Sequence, residues 1–514
     1  MSEARSPLVS ALPVQAAPPS LADNTADLDR LLRALAPALA GQPPGVPWPQ
    51  LAAAAASFRA AGFRGHALVA NLPAGPELMG FAAGAPGLVP ALALDLGTTV
   101  LEASLLDLAT GQVLARGQRD NPQIGLGADV LTRIHGAAGP GLDRLHRLLI
   151  EGVNDLARQL AARSGLDPGG IVALAAAGNT TMTHFFLGLD PRQLCREPYI
   201  PLVNAPDPGH AREIDLAIHP AAPVWVLPSV GSYFGGDLLA GILATGLDQG
   251  ERPALLVDVG TNAEVVVGSR DWLVACAGAA GPALEGGVAR MGMRAAPGAV
   301  SRIRIDAARR LSCQTIGDQP AQGICGSGII DLVAELYLAQ LIDFRGRFQP
   351  QRAPALFTAT PEGPALIVVP AERTAGGQPI LFGQVDCDAV IRSKAAMYAI
   401  LTTLLGQVGL GFQDLAAIHV AGTFGGHIDP RQAIVIGMLP DLPLAFYQPR
   451  GNTSLAGAEL LLMDGEARQR SRELVRRITY LELNVNHDFM IRFSGSRVIP
   501  HTDPDLFPTV PIHR

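Results

Sequence analysis

The sequence predicts a duplicated α/β fold behind a small N-terminal helical module, and three observations carry that prediction. Residues 91–99, Ala-Leu-Ala-Leu-Asp-Leu-Gly-Thr-Thr, are echoed at 254–262 by Ala-Leu-Leu-Val-Asp-Val-Gly-Thr-Asn. Each is an apolar run that delivers one Asp and then Gly and Thr, the pattern of a buried strand ending in a tight turn. A second pair, Gly178-Asn-Thr-Thr181 and Gly451-Asn-Thr-Ser454, opens an apolar helix in both halves. Between these marks short apolar runs alternate with helical patterns, as α/β architecture requires. The two pairs occur in the same order, so they predict an internal duplication whose second copy is enlarged by an insertion.

At 514 residues and 48% hydrophobic content the chain can bury the cores of two or three domains. A net charge of −7 argues against nucleic acid as a partner, since that role normally asks for a basic face. Residues 1–24 are rich in Pro, Ala and Ser and are expected to be mobile; they lack the basic start and apolar core of a secretory leader. The most apolar stretch, 79–94, is broken by Gly and Pro and is too short to span a bilayer. The expectation is a soluble cytoplasmic chain with no membrane partner. Cys195, Cys276, Cys313, Cys325 and Cys387 are scattered with no C-x-x-C pair, which suits buried or incidental thiols better than a disulfide frame or a metal nest. Of 39 basic residues only Lys394 is a lysine. It is either a chance survivor or a compact ammonium kept to meet a phosphate or carboxylate end-on.

In chain order, residues 26–40 place Leu28, Leu31, Leu32 and Leu35 on one helical face, and a second helix is expected over 49–61. Residues 1–90 thus form a mobile start and a small module. Strands follow at 91–96, 100–108 and 112–116, helices within 127–163, a strand at 171–176, the helix 182–187, a strand at 224–228 and a helix at 235–244, which closes a first subdomain, 91–250. A second, 251–470, repeats the plan. Its strands lie at 254–259, 263–268 and 272–276, and a Gly-rich run covers 277–287. The stretch 300–312 and the loop Gly323-Ile-Cys-Gly-Ser-Gly328 lead into a helix. An irregular insertion or hairpin at 350–380, a long helix at 386–408 carrying Lys394, a strand at 417–421 and a helix from Gly451 to Met463 complete it. Residues 471–514 are a C-terminal segment.

A strand that runs into Gly and Thr gives a phosphate close backbone approach together with N–H and hydroxyl donors. A carboxylate at the strand end can hold Mg²⁺ through water or orient an attacking water. Asp95 and Asp258 are therefore the candidate catalytic and metal-holding acids, facing each other across a nucleotide cleft. Gly422-Thr-Phe-Gly-Gly426, after a strand, would let a helix start close to an adenosine. The Gly323–Gly328 loop is either an anion site at a helix start or a packing turn. His184, His419 and His427 have no metal-ligand spacing and are expected to be core or surface residues.

With these motifs in place, the chain from about residue 91 to His501 resembles the C-terminal part of the reductive activators of corrinoid proteins, members of the acetate kinase, sugar kinase, Hsp70 and actin superfamily. The resemblance rests on Asp95-Leu-Gly-Thr-Thr99, Asn121-Pro-Gln123 with Gly127-Ala-Asp129, Gly178-Asn-Thr-Thr-Met182, Gly235-Gly-Asp237 and Asp258-Val-Gly-Thr-Asn262. It continues through Ala280-Gly-Pro-Ala283, Gly292–Gly298, Ile324-Cys-Gly-Ser-Gly328, Ala421–Gly426, Gly451–Gly457 and Tyr480-Leu-Glu-Leu483. It implies two ribonuclease-H-like subdomains around an ATP cleft, usually in a homodimer, and ATP-assisted return of cob(II)alamin to cob(I)alamin in a corrinoid methyltransferase protein.

By position, the resemblance makes Asp95, Gly97, Thr98 and Thr99 the first phosphate loop and Asp258, Gly260, Thr261, Asn262 and Glu264 the second. Gly422, Thr423, Gly425 and Gly426 become the adenosine loop, and the two Gly-Asn-Thr helices the connecting pair. Lys394 falls where the resembling helix also carries a lysine, which places it in the nucleotide set. ATP and Mg²⁺ are the implied cofactors. The familiar activators also begin with a [2Fe–2S] domain on four cysteines. Here the first cysteine is Cys195, so no iron–sulfur cluster is expected, residues 26–90 resemble a shortened remnant of the segment that follows such a domain, and the electron is expected from a separate donor such as ferredoxin or flavodoxin. The alternative is a non-redox module that grips a corrinoid protein under nucleotide control.

Overall fold

Part of the N-terminal stretch expected to be mobile is a strand. The computed structural model describes residues 6–127, 129–260, 263–278, 290–422, 427–483 and 486–513. In it β1 (Val9–Gln15) pairs antiparallel with β2 (Arg64–Leu72), and β2 with β3 (Gly75–Ala82). Helices α1 (Asp27–Leu35) and α2 (Trp48–Ala60) pack on this sheet. Leu31, Leu35 and Phe58 are fully buried with Val14, Ala67, Val69 and Leu78, and Phe58 meets Phe63 and Phe81 edge-on at 5.2 and 5.1 Å. The module is therefore α/β and not purely helical. Pro13 and the Ala/Pro-rich surroundings masked a strand that supplies one buried residue, Val14, to this core. Leu8 N–H donates to the Leu462 carbonyl and His210 Nε2 meets Glu77 Oε1, each at 2.8 Å, which ties the module into the larger unit that contains it.

The chain divides into two units: residues 1–244 with 454–476, and residues 245–453 with 477–514. In unit 1, β4 (Pro90–Leu96), β5 (Val100–Asp107) and β6 (Val113–Asp120) form an antiparallel meander. Helices α3 (Val130–Gly136) and α4 (Gly141–Arg163) follow. Then β7 (Ala173–Gly178) lies parallel to β4, α5 (Thr180–Phe186) starts directly after it, and β9 (Pro223–Val226) lies parallel to β7, with short β8 (Gly209–His210) at the edge. The sheet order is β6-β5-β4-β7-β9-β8, and α6 (Gly236–Thr245) closes this part of the chain.

Unit 2 repeats the frame. Its meander is β10 (Ala254–Val259), β11 (Ala263–Gly268) and β12 (Leu273–Gly278); β19 (Ile418–Ala421) lies parallel to β10, and β20 (Tyr447–Gly451) parallel to β19. The order β20-β19-β10-β11-β12, extended by β21 (Ile478–Tyr480), matches the unit 1 sheet strand for strand. Residues 290–417 hold β13 (Ala299–Ile305), β14 (Leu311–Thr315), β15 (Gly323–Ile324), the buried helix α7 (Gly326–Leu338), and a three-stranded sheet of β16 (Phe357–Thr360), β17 (Gly363–Val369) and β18 (Ile380–Gly383), in which β16 and β17 form a hairpin where an irregular insertion or hairpin was expected. Helix α8 (Gln384–Gln407) crosses the core of this unit, burying Val390, Met397, Leu401 and Leu404.

Beyond β19 come α9 (Pro430–Val435), α10 (Thr453–Met463) and α11 (Gly465–Arg477); α12 (His487–Gly495) follows β21. From Ser454 onward α10 belongs to unit 1. A Cβ on Gly457 would lie 2.4 Å from the Ala240 Cβ, and Glu459 accepts from Ser104 and Arg116 at 2.7 and 2.8 Å. The span 251–470 expected for the second subdomain thus ends at residue 453, its last part packs on unit 1, and the chain returns to unit 2 at residue 477. Topology also revises the second sequence echo. Gly178-Asn179 follows the fourth strand of its sheet, whereas Gly451-Asn452 follows the fifth. The unit 1 counterpart of α10 is α6, and the two Gly-Asn-Thr helices are not equivalents. Among the described residues no helix is long and apolar enough to cross a membrane.

Candidate functional site

The hairpin register fixes an acid pair at the same place in both sheets. Asp95 is the penultimate residue of β4 and stands opposite Glu102 on β5; Asp258 is the penultimate residue of β10 and stands opposite Glu264 on β11. The parallel neighbours also match, Ala177 beside Asp95 and Ala421 beside Asp258. All four acids are half-buried at a strand end, flanked by fully buried apolar neighbours. Glu102 was not singled out from the sequence. The signal that finds it is the pairing of the two meanders, because alternation alone does not show which residue lies opposite Asp95. Ser454 Oγ donates to Asp95 Oδ1 at 2.8 Å.

The turn after Asp95 is held from behind. Asn121 Nδ2 donates to the Gly97 carbonyl at 3.0 Å, Arg133 Nη2 to the Thr98 carbonyl at 2.6 Å, and Asn121 N–H to the Thr99 carbonyl at 2.9 Å. In a trans peptide the N–H points away from the carbonyl of the same plane. Three inward carbonyls therefore turn the N–H groups of Thr98, Thr99 and Val100 outward. Among the described residues neither Thr98 nor Thr99 N–H finds an acceptor within the protein, and both residues are half-buried. The turn is tight enough that a Cβ on Gly97 would lie 2.1 Å from the Val100 carbonyl oxygen, so only glycine fits. Asn179 caps α5 by accepting from Met182 N–H at 2.9 Å, and its amide donates to Thr98 Oγ1 at 3.0 Å. Paired outward N–H groups, threonine hydroxyls and a strand-end carboxylate are what a phosphate with its cation requires.

A third acid stands in the same unit. Asp237, in the first turn of α6, accepts from Leu238 N–H at 2.8 Å, and among the described residues no charged side chain acts on it. Burial pushes its carboxyl up to about 6. A Cβ on Gly235 would lie 2.4 Å from Asn179 Cα and 2.6 Å from Asp237 Oδ1, so the glycine pair lets this turn close onto the end of β7.

In unit 2 the described residues show less of the loops. Gly260 directly follows β10, while Thr261, Asn262, Thr423, Gly425, Gly426 and most of the Gly-rich run 277–287 lie outside the described residues. Gly422 has φ +84°, and a Cβ there would lie 2.7 Å from Asp258 Oδ1. The adenosine-loop candidate thus begins directly over the second acid. Lys394 is placed elsewhere. It is fully buried in α8, and its ammonium donates to the Val498 and Pro500 carbonyls at 2.5 and 2.6 Å. Its described bonds tether the C-terminal segment, and we propose that this tether, not nucleotide contact, is its role.

The Gly323–Gly328 loop is a packing turn. A Cβ on Gly328 would lie 2.3 Å from the Val300 carbonyl oxygen, and one on Gly323 2.7 Å from that of Met291. His184 bonds the Thr180 carbonyl at 2.7 Å and accepts from Leu202 N–H; His419 accepts from Arg450 Nε, and burial with that neighbour lowers its pKa to about 4. Both are satisfied neutral histidines. Burial raises the thiol pKa of Cys276, Cys387 and Cys313, the last to about 11.

Duplicated five-strand sheets with a strand-end acid and a Gly-Thr turn define an ASKHA fold, that of actin, Hsp70 and sugar kinases. Comparison with known proteins then gives the particular group. The family model described as the C-terminal domain of RACo, the ASKHA domain, matches residues 252–511, and that for the RACo middle region matches residues 90–250. The chain belongs to the RACo family. It is 32% identical over 410 residues to the corrinoid activation enzyme RamQ of Eubacterium limosum, covering 78% of this chain and 68% of that protein. It is 25% identical over 426 residues to the [Co(II) methylated amine-specific corrinoid protein] reductase of Methanosarcina barkeri, covering 76% and 72%. A solved structure of a reductive activator for corrinoid, iron–sulfur protein superposes with a TM-score of 0.91 at 35% identity, covering 99% of this chain and 82% of that one.

Proposed function

We propose that the chain is an ATP-dependent reactivation factor for a corrinoid methyltransferase protein, assisting reduction of cob(II)alamin to cob(I)alamin. The observation that carries the reading is the Asp95–Thr99 turn, whose carbonyls are held inward so that the Thr98 and Thr99 N–H groups face out beside a strand-end acid. Gly97, Thr98 and Thr99 would hold a phosphate, and Gly260, Thr261, Asn262 and Glu264 would serve the second phosphate loop. Gly422, Thr423, Gly425 and Gly426 would approach the adenosine. Asp95 and Asp258 would hold Mg²⁺ through water or orient an attacking water; both are half-buried at a strand end, which suits a hydrated cation. Reducing Co(II) is uphill for ordinary donors, and two nucleotide states that bind the partner differently supply the bias. The electron comes from a separate donor such as ferredoxin or flavodoxin, and the working species is a cytoplasmic homodimer.

The test mixes the protein with a cob(II)alamin partner, a reductant and Mg·ATP, and follows the cobalt spectrum. ATP-dependent cob(I)alamin that disappears with Asp95→Ala and Asp258→Ala supports the reading. Partner binding that responds to ATP without any cob(I)alamin reassigns the chain as a nucleotide-controlled binding module.

A further inference from the structure

Arg133 is fully buried, and among the described residues none of its hydrogen-bond partners is an anion. Its guanidinium donates to the Thr98 carbonyl at 2.6 Å, the Gly127 carbonyl at 2.8 Å and Gln123 Oε1 at 3.0 Å, with Met182 Sδ at 3.6 Å. Asp129, the acid whose charge acts on it, makes no hydrogen bond to it among those described and spends its carboxylate on Thr132 N–H and Oγ1, both at 2.8 Å. Buried charges are ordinarily paired, because an unpaired one carries most of its desolvation penalty. Of the other two buried arginines, Arg30 pairs with Asp23 at 2.5 Å, while Arg468 donates to the Leu461 and Ser6 carbonyls at 2.8 Å each and also lies 5.9 Å over the Trp225 ring. Among the described residues Arg133 has neither a carboxylate nor a ring, and burial lowers its pKa to about 10.

Its position says what is missing. The Thr98 carbonyl that it grips belongs to the same peptide as the Thr99 N–H, which points the opposite way. The guanidinium therefore sits at the negative end of a peptide dipole whose positive end faces outward, and polarises it further. We propose that Arg133 is the fixed counter-charge of an anionic ligand at the Asp95–Thr99 turn: a buried positioning residue that holds the turn open to a phosphate and whose charge that phosphate completes. The inference rests on the phosphate-binding reading of that turn.

The experiment measures calorimetric affinity of the full chain for Mg·ATP, ADP and adenosine, for wild type, Arg133→Met and Arg133→Lys, with melting temperatures alongside. The expected result is that Arg133→Met loses at least tenfold for ATP and less for ADP while adenosine changes little. Arg133→Lys, which keeps the charge but loses the fork, recovers most of the difference between ATP and adenosine. A purely structural arginine would weaken all three ligands alike, and that outcome overturns the inference, as does unchanged ATP affinity in a folded Arg133→Met. If Arg133→Met does not fold, Arg133→Lys decides through the same ATP-to-adenosine ratio; a ratio collapsed to that of a neutral site overturns the proposal. A wild type that binds no nucleotide overturns the phosphate reading itself.

Discussion

Asp237→Asn should stabilise this protein at neutral pH and impair it at the same time. The Asp237 carboxyl rises from an ordinary 3.8 to about 6 because burial, with no cation acting on it among the described residues, disfavours its ionised form. The folded chain therefore holds this proton more tightly than the unfolded one. Between pH 4 and 6 the folded state binds more protons, so stability falls as pH rises through that window and stays reduced above it. A shift of this size corresponds to roughly 3 kcal/mol when ionisation is complete, an upper bound because the side chain keeps some contact with water. Asparagine has the same shape and no charge. Urea unfolding followed by circular dichroism should show equal stability for the two proteins near pH 4 and a gain of about 1–3 kcal/mol for the variant above pH 6.5. The proposed ATP-dependent reactivation should fall more than tenfold if this acid, kept at a stability cost on the turn that packs against Asn179, serves the reaction. A gain that is the same at pH 4 and pH 7, or a loss at both, would refute the reasoning.

Three further outcomes rest on particular contacts. Gly422→Ala combines a left-handed φ of +84° with a Cβ 2.7 Å from Asp258 Oδ1; nucleotide affinity should drop about tenfold or more, from about 1–2 kcal/mol of backbone strain plus displacement of the acid, and calorimetry reads it. Lys394→Met leaves the Val498 and Pro500 carbonyls without their donor and should lower stability by about 1–3 kcal/mol with ATP affinity unchanged within twofold; lost affinity at wild-type stability would return Lys394 to the nucleotide set. Phe58→Ala opens the core of the N-terminal module, where such truncations cost about 3–5 kcal/mol, and hydrogen exchange should quicken across residues 9–82 while the β10–β12 meander keeps its protection.

The paired Asp strands were legible because the same apolar run, acid and Gly-Thr turn occurs twice, and register then put both acids at the same position. The residues behind the first turn were not. Arg133 stands in an ordinary helical pattern, and only the fold shows that its guanidinium reaches Thr98, 35 positions earlier in the chain. Glu102 needed the hairpin pairing, and Asp237 needed the glycine-lined approach of α6 to β7. Scarcity alone left Lys394 open between chance and function, and the family resemblance placed it in the nucleotide set; only the fold shows that its side chain reaches two backbone carbonyls inside a packed core. Strand β1 was missed because composition dominated a pattern seven residues long.

The false echo is as instructive as the true one. Gly178-Asn179 follows the fourth strand of unit 1, and its structural counterpart in unit 2 is the turn that starts at Gly422. Gly451-Asn452 follows the fifth strand of unit 2, and its counterpart is the approach to Gly235-Gly236-Asp237. At the fourth position one copy carries an asparagine that caps α5 and reaches Thr98 Oγ1, and the other a glycine seated on Asp258. The frame constrains the acid ahead of the first turn because the flanking residues of β4 and β10 are locked into a core on both sides. It leaves the residues after the later strands free to differ, because loops tolerate change. A repeated Gly-Asn-Thr therefore reports a shared local solution, an asparagine suited to starting a helix straight after a strand, while the duplication itself is recorded in the strand order and in the acids at the strand ends.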